Sequence, residues 1–219
     1  MAKFETIVLP DLDKIIVFQE LIPRILQESV LSTVDGTESF PWYLLRKVGH
    51  TWATNLHYAD PNVIDGGGFY HSVVDDKKII SKYYDYFKQI LFFFTDKTGI
   101  EVDQIIRIRL RFTNQQSGHS DSTYGPIHVD FTKYTEPYYT LLYYVEDSDG
   151  DTILFDKIFD PVIDVYEPEN ISDLNIVYRQ TPKMGMGLFF NGHRYHSGNY
   201  PINYQTRIVI NFDFTLKNN

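Results

Sequence analysis

His128 and Asp130 stand one residue apart in "GPIHVDF", and His193 and His196 stand three apart in "FFNGHRYHSG". On an extended chain the side chains at i and i+2 point the same way. An imidazole and a carboxylate from the first segment can therefore converge on one ion. A histidine from far downstream would complete a set of two histidines and one carboxylate, which leaves three adjacent positions of a metal open and suits iron. Plainer readings exist for each piece. H-x-D can be a hydrogen-bonded pair within a strand, and H-x-x-H can be a turn with a solvated imidazole. Spacing alone leaves open which of His193 and His196 would serve. Arg207 heads the otherwise apolar "TRIVINF", alternating with Val209 and Asn211 while Ile208, Ile210 and Phe212 take the other face. A planar guanidinium there suits a bidentate grip on a carboxylate; an arginine reaching solvent at a strand mouth is the plainer alternative.

Composition narrows the chemistry. The 219 residues contain no cysteine, which removes disulfides and thiolate chemistry and leaves His and carboxylate as metal ligands. A formal charge of −9 argues against a nucleic-acid backbone as partner, because phosphate binding needs clustered Lys and Arg. The N-terminal "MAKFETIVLPDLDK" lacks an apolar signal region, and no segment reaches the length of a membrane span. The expectation is a cytoplasmic protein without a membrane partner, its oligomeric state unspecified.

The elements that must position these residues divide the chain in two. "DLDKIIVFQELIPRILQE" (11–28) carries apolar residues at roughly helical spacing and predicts a short helix on each side of Pro23. From Asp75 to Thr98 a broad apolar face (Ile79, Ile80, Tyr83, Tyr84, Phe87, Ile90, Leu91, Phe94) predicts an amphipathic helix stopped by Gly99. Beyond Gly99 come short runs of strand character, "QIIRIRLRF", "IHVDF", "YYTLLYYVE", "DTILFD", "IVYRQTP", "GLFFNG" and "TRIVINFDFTL", separated by turns. Heavy use of Tyr (17) and Phe (16) points the same way. Many short strands in this order predict a barrel or jelly roll instead of βαβ units. The expected fold is mainly β with supporting helices. One domain spans 1–219, with helical support and an irregular segment over 1–100 and the barrel over 101–219.

From about Ile105 to Phe214 the sequence resembles the Fe(II)/2-oxoglutarate-dependent dioxygenases, in particular the prolyl-4-hydroxylase-like branch with its compact phage and bacterial members. "HVDF" is similar to that family's H-x-D strand. "LLYYVED" with "GDTILFD" resembles the strand, acidic turn and strand that follow it. "GMGLFFNGHRYHSG" resembles the approach to the distal histidine, and "TRIVINFDF" the closing strand. The resemblance implies a double-stranded β-helix of the jelly-roll or cupin-like type with N-terminal helices packed on it. It implies His128, Asp130 and His196 as Fe(II) ligands, Arg207 on the distal carboxylate of 2-oxoglutarate, and Tyr144 against that same carboxylate. His196 is preferred because "HSG" and the eleven-residue spacing to Arg207 fit the family's distal histidine. His193, directly after Asn-Gly, is expected at the bend with its ring toward solvent or the cleft rim. The implied reaction converts 2-oxoglutarate and O2 to succinate and CO2 while hydroxylating a substrate C–H bond, and the family also admits ascorbate. A carboxylate at Asp130 favours hydroxylation over halogenation. A prolyl residue in a peptide or protein is the leading substrate, with a small metabolite or nucleobase as the alternative. A catalytically silent β-barrel binding protein is the rival from another class.

Other residues carry two readings each. Arg107, Arg109 and Arg111 alternate on one strand face, as salt-bridge partners first and a basic stripe near substrate second. The polar stretch 113–126 reads as a lid or an exposed connection, with His119 not a ligand. "DSDGD" (147–151) reads as a solvated turn, its glycine misplaced for a calcium loop. The Gly150-Asp151 pair departs from the family's usual Gly-Gly. "DGGGFY" (65–70) lacks the following Lys or Ser/Thr of a phosphate cradle. His50, His57 and His71, with Trp42 and Trp52, either line a cleft or pack.

Overall fold

A computed structural model describes residues 4–11, 13–35, 39–46, 66–118, 120, 122–164 and 174–217. His50, Trp52, His57, Asp65 and His119 lie outside the described residues. Twelve strands and two helices appear among them. The strands are β1 (Phe4–Val8), β2 (Lys14–Phe18), β3 (Tyr43–Leu45), β4 (Gly68–Asp75), β5 (Lys78–Ile79) and β6 (Val102–Asn114) in the first half of the chain. After these come β7 (Tyr139–Tyr144), β8 (Thr152–Ile158), β9 (Ile176–Gln180), β10 (Gly187–Asn191), β11 (Arg194–Gly198) and β12 (Thr206–Leu216). The helices are α1 (Arg24–Val34) and α2 (Tyr84–Thr98).

The strands form two antiparallel sheets that make a double-stranded β-helix. The larger runs β1-β2-β10-β7-β12-β6-β4-β3 with β5 on β4, and the smaller runs β11-β8-β9. β12 alternates as its sequence requires. Ile208, Ile210, Phe212 and Phe214 are buried on one face, in the cluster that also takes Phe87, Ile90, Leu91 and Phe94 of α2 and Val30 and Val34 of α1. Phe94 packs its ring on Phe18, Phe189 and Phe214. Burying each such aromatic contributes roughly 1.5–3 kcal/mol. The opposite face of the large sheet meets the small one: Leu142, Tyr144, Leu188, Phe190 and Val209 pack with Leu154 of β8. Tyr143 and Tyr144 fall on opposite sides, Tyr143 with the helices and Tyr144 between the sheets.

Three expectations are corrected. No helix precedes Pro23 among the described residues, because "KIIVF" is β2, pairing with β1 and β10 and burying Ile15, Val17 and Phe18. Its β-branched run suits a pleat better than a helix. The helix expected from Asp75 begins at Tyr84 instead. Asp76 and Lys77 turn the chain with φ of 46° and 65°, and β5 pairs back on β4, leaving Ile79 and Ile80 exposed. Its stop is as expected, with Gly99 left-handed at φ 71° and donating its N–H to the Thr95 carbonyl. "IHVDF" is not a strand: His128 makes a single bridge to His196, and Pro126 just before it has no N–H to continue a ladder. The described residues before 100 thus contribute five strands to the large sheet as well as two helices.

The β1–β2 turn is tied to the small sheet by Arg194. This side chain is fully buried, with Nη2 donating to Asp11 (2.7 Å) and Asp13 (2.8 Å) and Nη1 to the Phe155 carbonyl (2.7 Å). No helix among the described residues is long and apolar enough to cross a membrane.

Candidate metal centre

The bridge between His128 and His196 sets the site. Each backbone N–H donates to the other's carbonyl at 2.9 Å, and the two rings lie 4.5 Å apart. Both rings are oriented identically from below. Nδ1 of His128 meets the Pro126 carbonyl and Nδ1 of His196 meets the Arg194 carbonyl, each at 2.9 Å. A carbonyl only accepts, so each Nδ1 donates its N–H and Nε2 is the ring nitrogen turned toward the centre as a ligand atom. Those Nε2 atoms face Asp130, at 3.9 Å from Oδ1 for His128 and 3.7 Å from Oδ2 for His196. The three side chains place ligand atoms within 4.8 Å of one another. Ligands held cis on one ion at ~2.1 Å stand roughly 3 Å apart, so small side-chain rotations close the set.

Behind the site, Ile127 and Val129 point away into a cluster with Ile153, Phe155, Phe159 and Tyr195. Strict alternation along "IHVDF" would place Phe131 with them. It lies instead under the Arg107 guanidinium, 4.7 Å from the ring centroid, where the chain bends after Asp130.

Asp130 is gripped from both sides by the large sheet. Arg107 Nη2 contacts Oδ1 at 2.5 Å, and Asn211 Nδ2 donates to Oδ2 at 2.9 Å. Arg107 also pairs through Nε with Asp213 (2.8 Å), which in turn accepts from Thr140. Burial opposes ionisation of Asp130, yet Arg107, with the two histidines, holds its carboxyl well below the usual range. Burial, and next the neighbouring His196, pushes His128 down to about 3. The arrangement is an ionised carboxylate facing the Nε2 atoms of two imidazoles, which is the donor set a divalent iron takes. The residues present fit the metal.

Arg207 enters the same cavity from β12 and is 6 % exposed. Its Nε donates to the Gly150 carbonyl (2.6 Å) and its Nη2 to Thr152 Oγ1 (2.9 Å). Among the described residues no carboxylate forms an ion pair with it, and burial lowers its pKa. Two of its five N–H groups are spent on orientation, and three remain for a ligand. Gly150 is required where it stands, because a Cβ there would lie 2.6 Å from the Asn199 carbonyl and 2.8 Å from Arg207 Cδ. Tyr144 does not line the cavity. Its hydroxyl donates to Thr152 at 2.8 Å, so it supports the residue that orients Arg207.

His193 is not at the solvent rim. It is 7 % exposed, its Nε2 meets the Tyr134 carbonyl at 2.8 Å, and its ring stands edge-on to Tyr138. The acidic turn is a clasp more than a solvated loop: Asp149 accepts from the backbone N–H groups of Ile202 and Asn203. His71 packs, hydrogen-bonded to the Pro41 carbonyl and Ser81, and Trp42 donates to the Val34 carbonyl. Of the arginine stripe, Arg107 and Arg109 are in ion pairs, with Asp130 and Asp213 and with Asp75. The alternation of Asn211 with Arg207 was the one signal that could have flagged Asn211. The parts played by Gly150 and Thr152 depend on folding and had none.

The sequence matches no family model and no curated protein. Solved structures do share the fold. A 2OG-Fe(II) oxygenase family oxidoreductase from Burkholderia pseudomallei superposes with a TM-score of 0.61 at 10 % identity, over 92 % of this chain and 84 % of that one. The α-ketoglutarate-dependent epimerase SnoN from nogalamycin biosynthesis gives 0.57 at 10 % identity, over 93 % and 78 %. A prolyl-4-hydroxylase from Pseudomonas putida gives 0.51 at 9 % identity, over 100 % and 95 %. At these identities the likeness is one of fold, and the chain has the double-stranded β-helix of the 2-oxoglutarate oxygenases.

Proposed function

We propose that the chain is an Fe(II)/2-oxoglutarate-dependent oxygenase, a single domain over 1–219, that hydroxylates a substrate C–H bond while converting 2-oxoglutarate and O2 to succinate and CO2. One observation carries the reading. The cavity that gathers His128, Asp130 and His196 also holds a buried guanidinium, Arg207, with no carboxylate of the described chain paired to it. A buried cation without a counter-ion is costly, and a dicarboxylate with one end on the metal and the other on Arg207 would relieve that cost.

In this reading His128 Nε2, Asp130 and His196 Nε2 hold the iron. Iron bound there supplies the activation of O2 and its coupling to 2-oxoglutarate decarboxylation. The chain's own residues position and shield. Gly150 and Thr152 aim the free edge of Arg207 at the distal carboxylate. Arg107 and Asn211 fix the plane of the Asp130 carboxylate. Leu142 and Val209, apolar walls of the cavity, exclude water from the centre. The likeness to the prolyl-4-hydroxylase supports a peptidyl proline as substrate and that to SnoN supports a small molecule; charge in the cavity bears on this choice.

The test is anaerobic Fe(II) titration followed by succinate release from 2-oxoglutarate in air. Stoichiometric iron and slow uncoupled succinate formation are expected. No iron binding, or iron without any turnover, returns the chain to the silent binding-protein class.

A further inference from the structure

The cavity is cationic although the chain is acidic. Four arginines line it, Arg107, Arg109, Arg111 and Arg207, and Asp130 is the one carboxylate among the described lining residues. Three of the four are accounted for. Arg107 is spent on Asp130 and Asp213, and Arg109 on Ser72, Asp75 and the face of Tyr70. Arg207 is anchored for the cosubstrate. Arg111 makes no hydrogen bond or ion pair with the described residues. Burial and the neighbouring Arg109 and Arg107 push it down to about 10, so it stays charged at neutral pH.

Register fixes where Arg111 sits. It lies opposite Val209 of β12 on one side and Tyr70 of β4 on the other. Arg207 lies opposite Thr113, so the two guanidiniums spring from diagonal positions on one sheet face, Cα atoms roughly 7–8 Å apart. They lean differently. Arg207 is drawn toward the small sheet by Gly150 and Thr152. Arg111 acts electrostatically on His128 and Asp130, and it also walls a second groove with Tyr43, Leu45 and Tyr70. It therefore lines both the metal cavity and that groove, whereas Arg207 lines the cavity alone.

Resting on the oxygenase reading, we propose that Arg111 is the substrate-recognition residue, and that the substrate is a small anionic molecule whose carboxylate or phosphate it grips beside the carbon to be oxidised. A prolyl ring and its flanking amides carry no such group beside the carbon, so this favours a small anionic molecule over a peptidyl proline. A guanidinium recognises either anion through paired N–H donors.

The protein is first loaded with Mn(II) and saturating 2-oxoglutarate under argon, then titrated calorimetrically with inorganic phosphate and, separately, with acetate. Failure to load would sink the oxygenase reading itself and is seen before any anion is added. With loading achieved, saturable millimolar binding of at least one anion is expected, weakened about tenfold or more in Arg111→Gln and partly restored in Arg111→Lys. The stronger of the two anions tells a phosphorylated substrate from a carboxylic acid. Absence of saturable binding by the loaded wild type overturns the proposal, as does equal affinity in Arg111→Gln. So does an Arg111→Gln protein that loses 2-oxoglutarate, which would make Arg111 a second anchor for the cosubstrate.

Discussion

His128 and His196 hold each other's main chains, each donating its N–H to the other's carbonyl at 2.9 Å. Residues 68 positions apart in sequence are thereby locked as a pair before any ion is considered, and both rings stand on the same side of the bridge. The metal ligands proposed here are thus spaced by backbone, not by long flexible side chains. Pre-setting of that kind reduces the ordering cost of binding.

The two neighbouring histidines should behave differently when removed. His196→Ala is expected to lose Mn(II) binding in an EPR titration while the far-ultraviolet spectrum stays native. His193→Ala should keep the metal and lower stability by about 1–3 kcal/mol, because the Tyr134 carbonyl loses its buried partner. The opposite pattern would assign the ligand to His193.

Asp130→Ala should abolish metal retention. Removing its support is subtler: Arg107→Met takes away the contact at Oδ1 and strips Asp213 of its ion pair. Metal affinity about 10–100-fold weaker is the expected result, as for other residues that orient a ligand. An unchanged dissociation constant in Arg107→Met would mean that Asn211 alone suffices.

For the cosubstrate end, Arg207→Ala should weaken 2-oxoglutarate binding about 10–100-fold with metal binding intact, read by calorimetry on the Mn(II) form. Thr152→Val removes the acceptor for both Arg207 and Tyr144 and leaves a buried hydroxyl unpaired. It should cost about 1–3 kcal/mol in a denaturant melt and raise the 2-oxoglutarate dissociation constant as well. Gly150→Ala should displace Arg207 and show the cosubstrate defect first.

Acid should act through His128. In the unfolded chain this imidazole titrates near 6.5, and in the folded metal-free chain near 3, because burial and next His196 disfavour its charge. On acidification the unfolded state takes the proton first. The stability contributed by the neutral ring is complete above about pH 6.5 and is lost progressively as pH falls toward 3. Long-range nitrogen NMR at pH 5 should find the ring neutral with the proton on Nδ1. A protonated ring at that pH would refute the assignment.

What could be read in advance divides by locality. α2 and its stop were legible because an apolar face and Gly99 are local signals, and β12 because its alternation is unbroken. His128, Asp130, His196 and Arg207 stood out because few residue types do this chemistry, and the fold brings those four into one cavity. β2 was misread because a run of four β-branched and aromatic residues, Ile15 to Phe18, fits either period, and only pairing with β1 and β10 decides between them. Arg194, Gly150 and Thr152 were silent because their partners lie 49 to 183 residues away (Arg194 with Asp11, Thr152 with Arg207 and Gly150 with Asn199 or Arg207). The burial of His193 was missed for the same reason, its acceptor being Tyr134.

β12 follows the other described strands in chain order, yet sits near the middle of the large sheet, between β7 and β6. Until it arrives, β6 with β4 and β7 with β10 are two half-sheets with open edges, and a nascent chain must keep both from pairing elsewhere. With Arg207 and Asn211 on that strand, the proposed cosubstrate anchor and the clamp on Asp130 reach the site together when it pairs. Such sequence-distant pairing implies slow folding, on the millisecond-to-second scale.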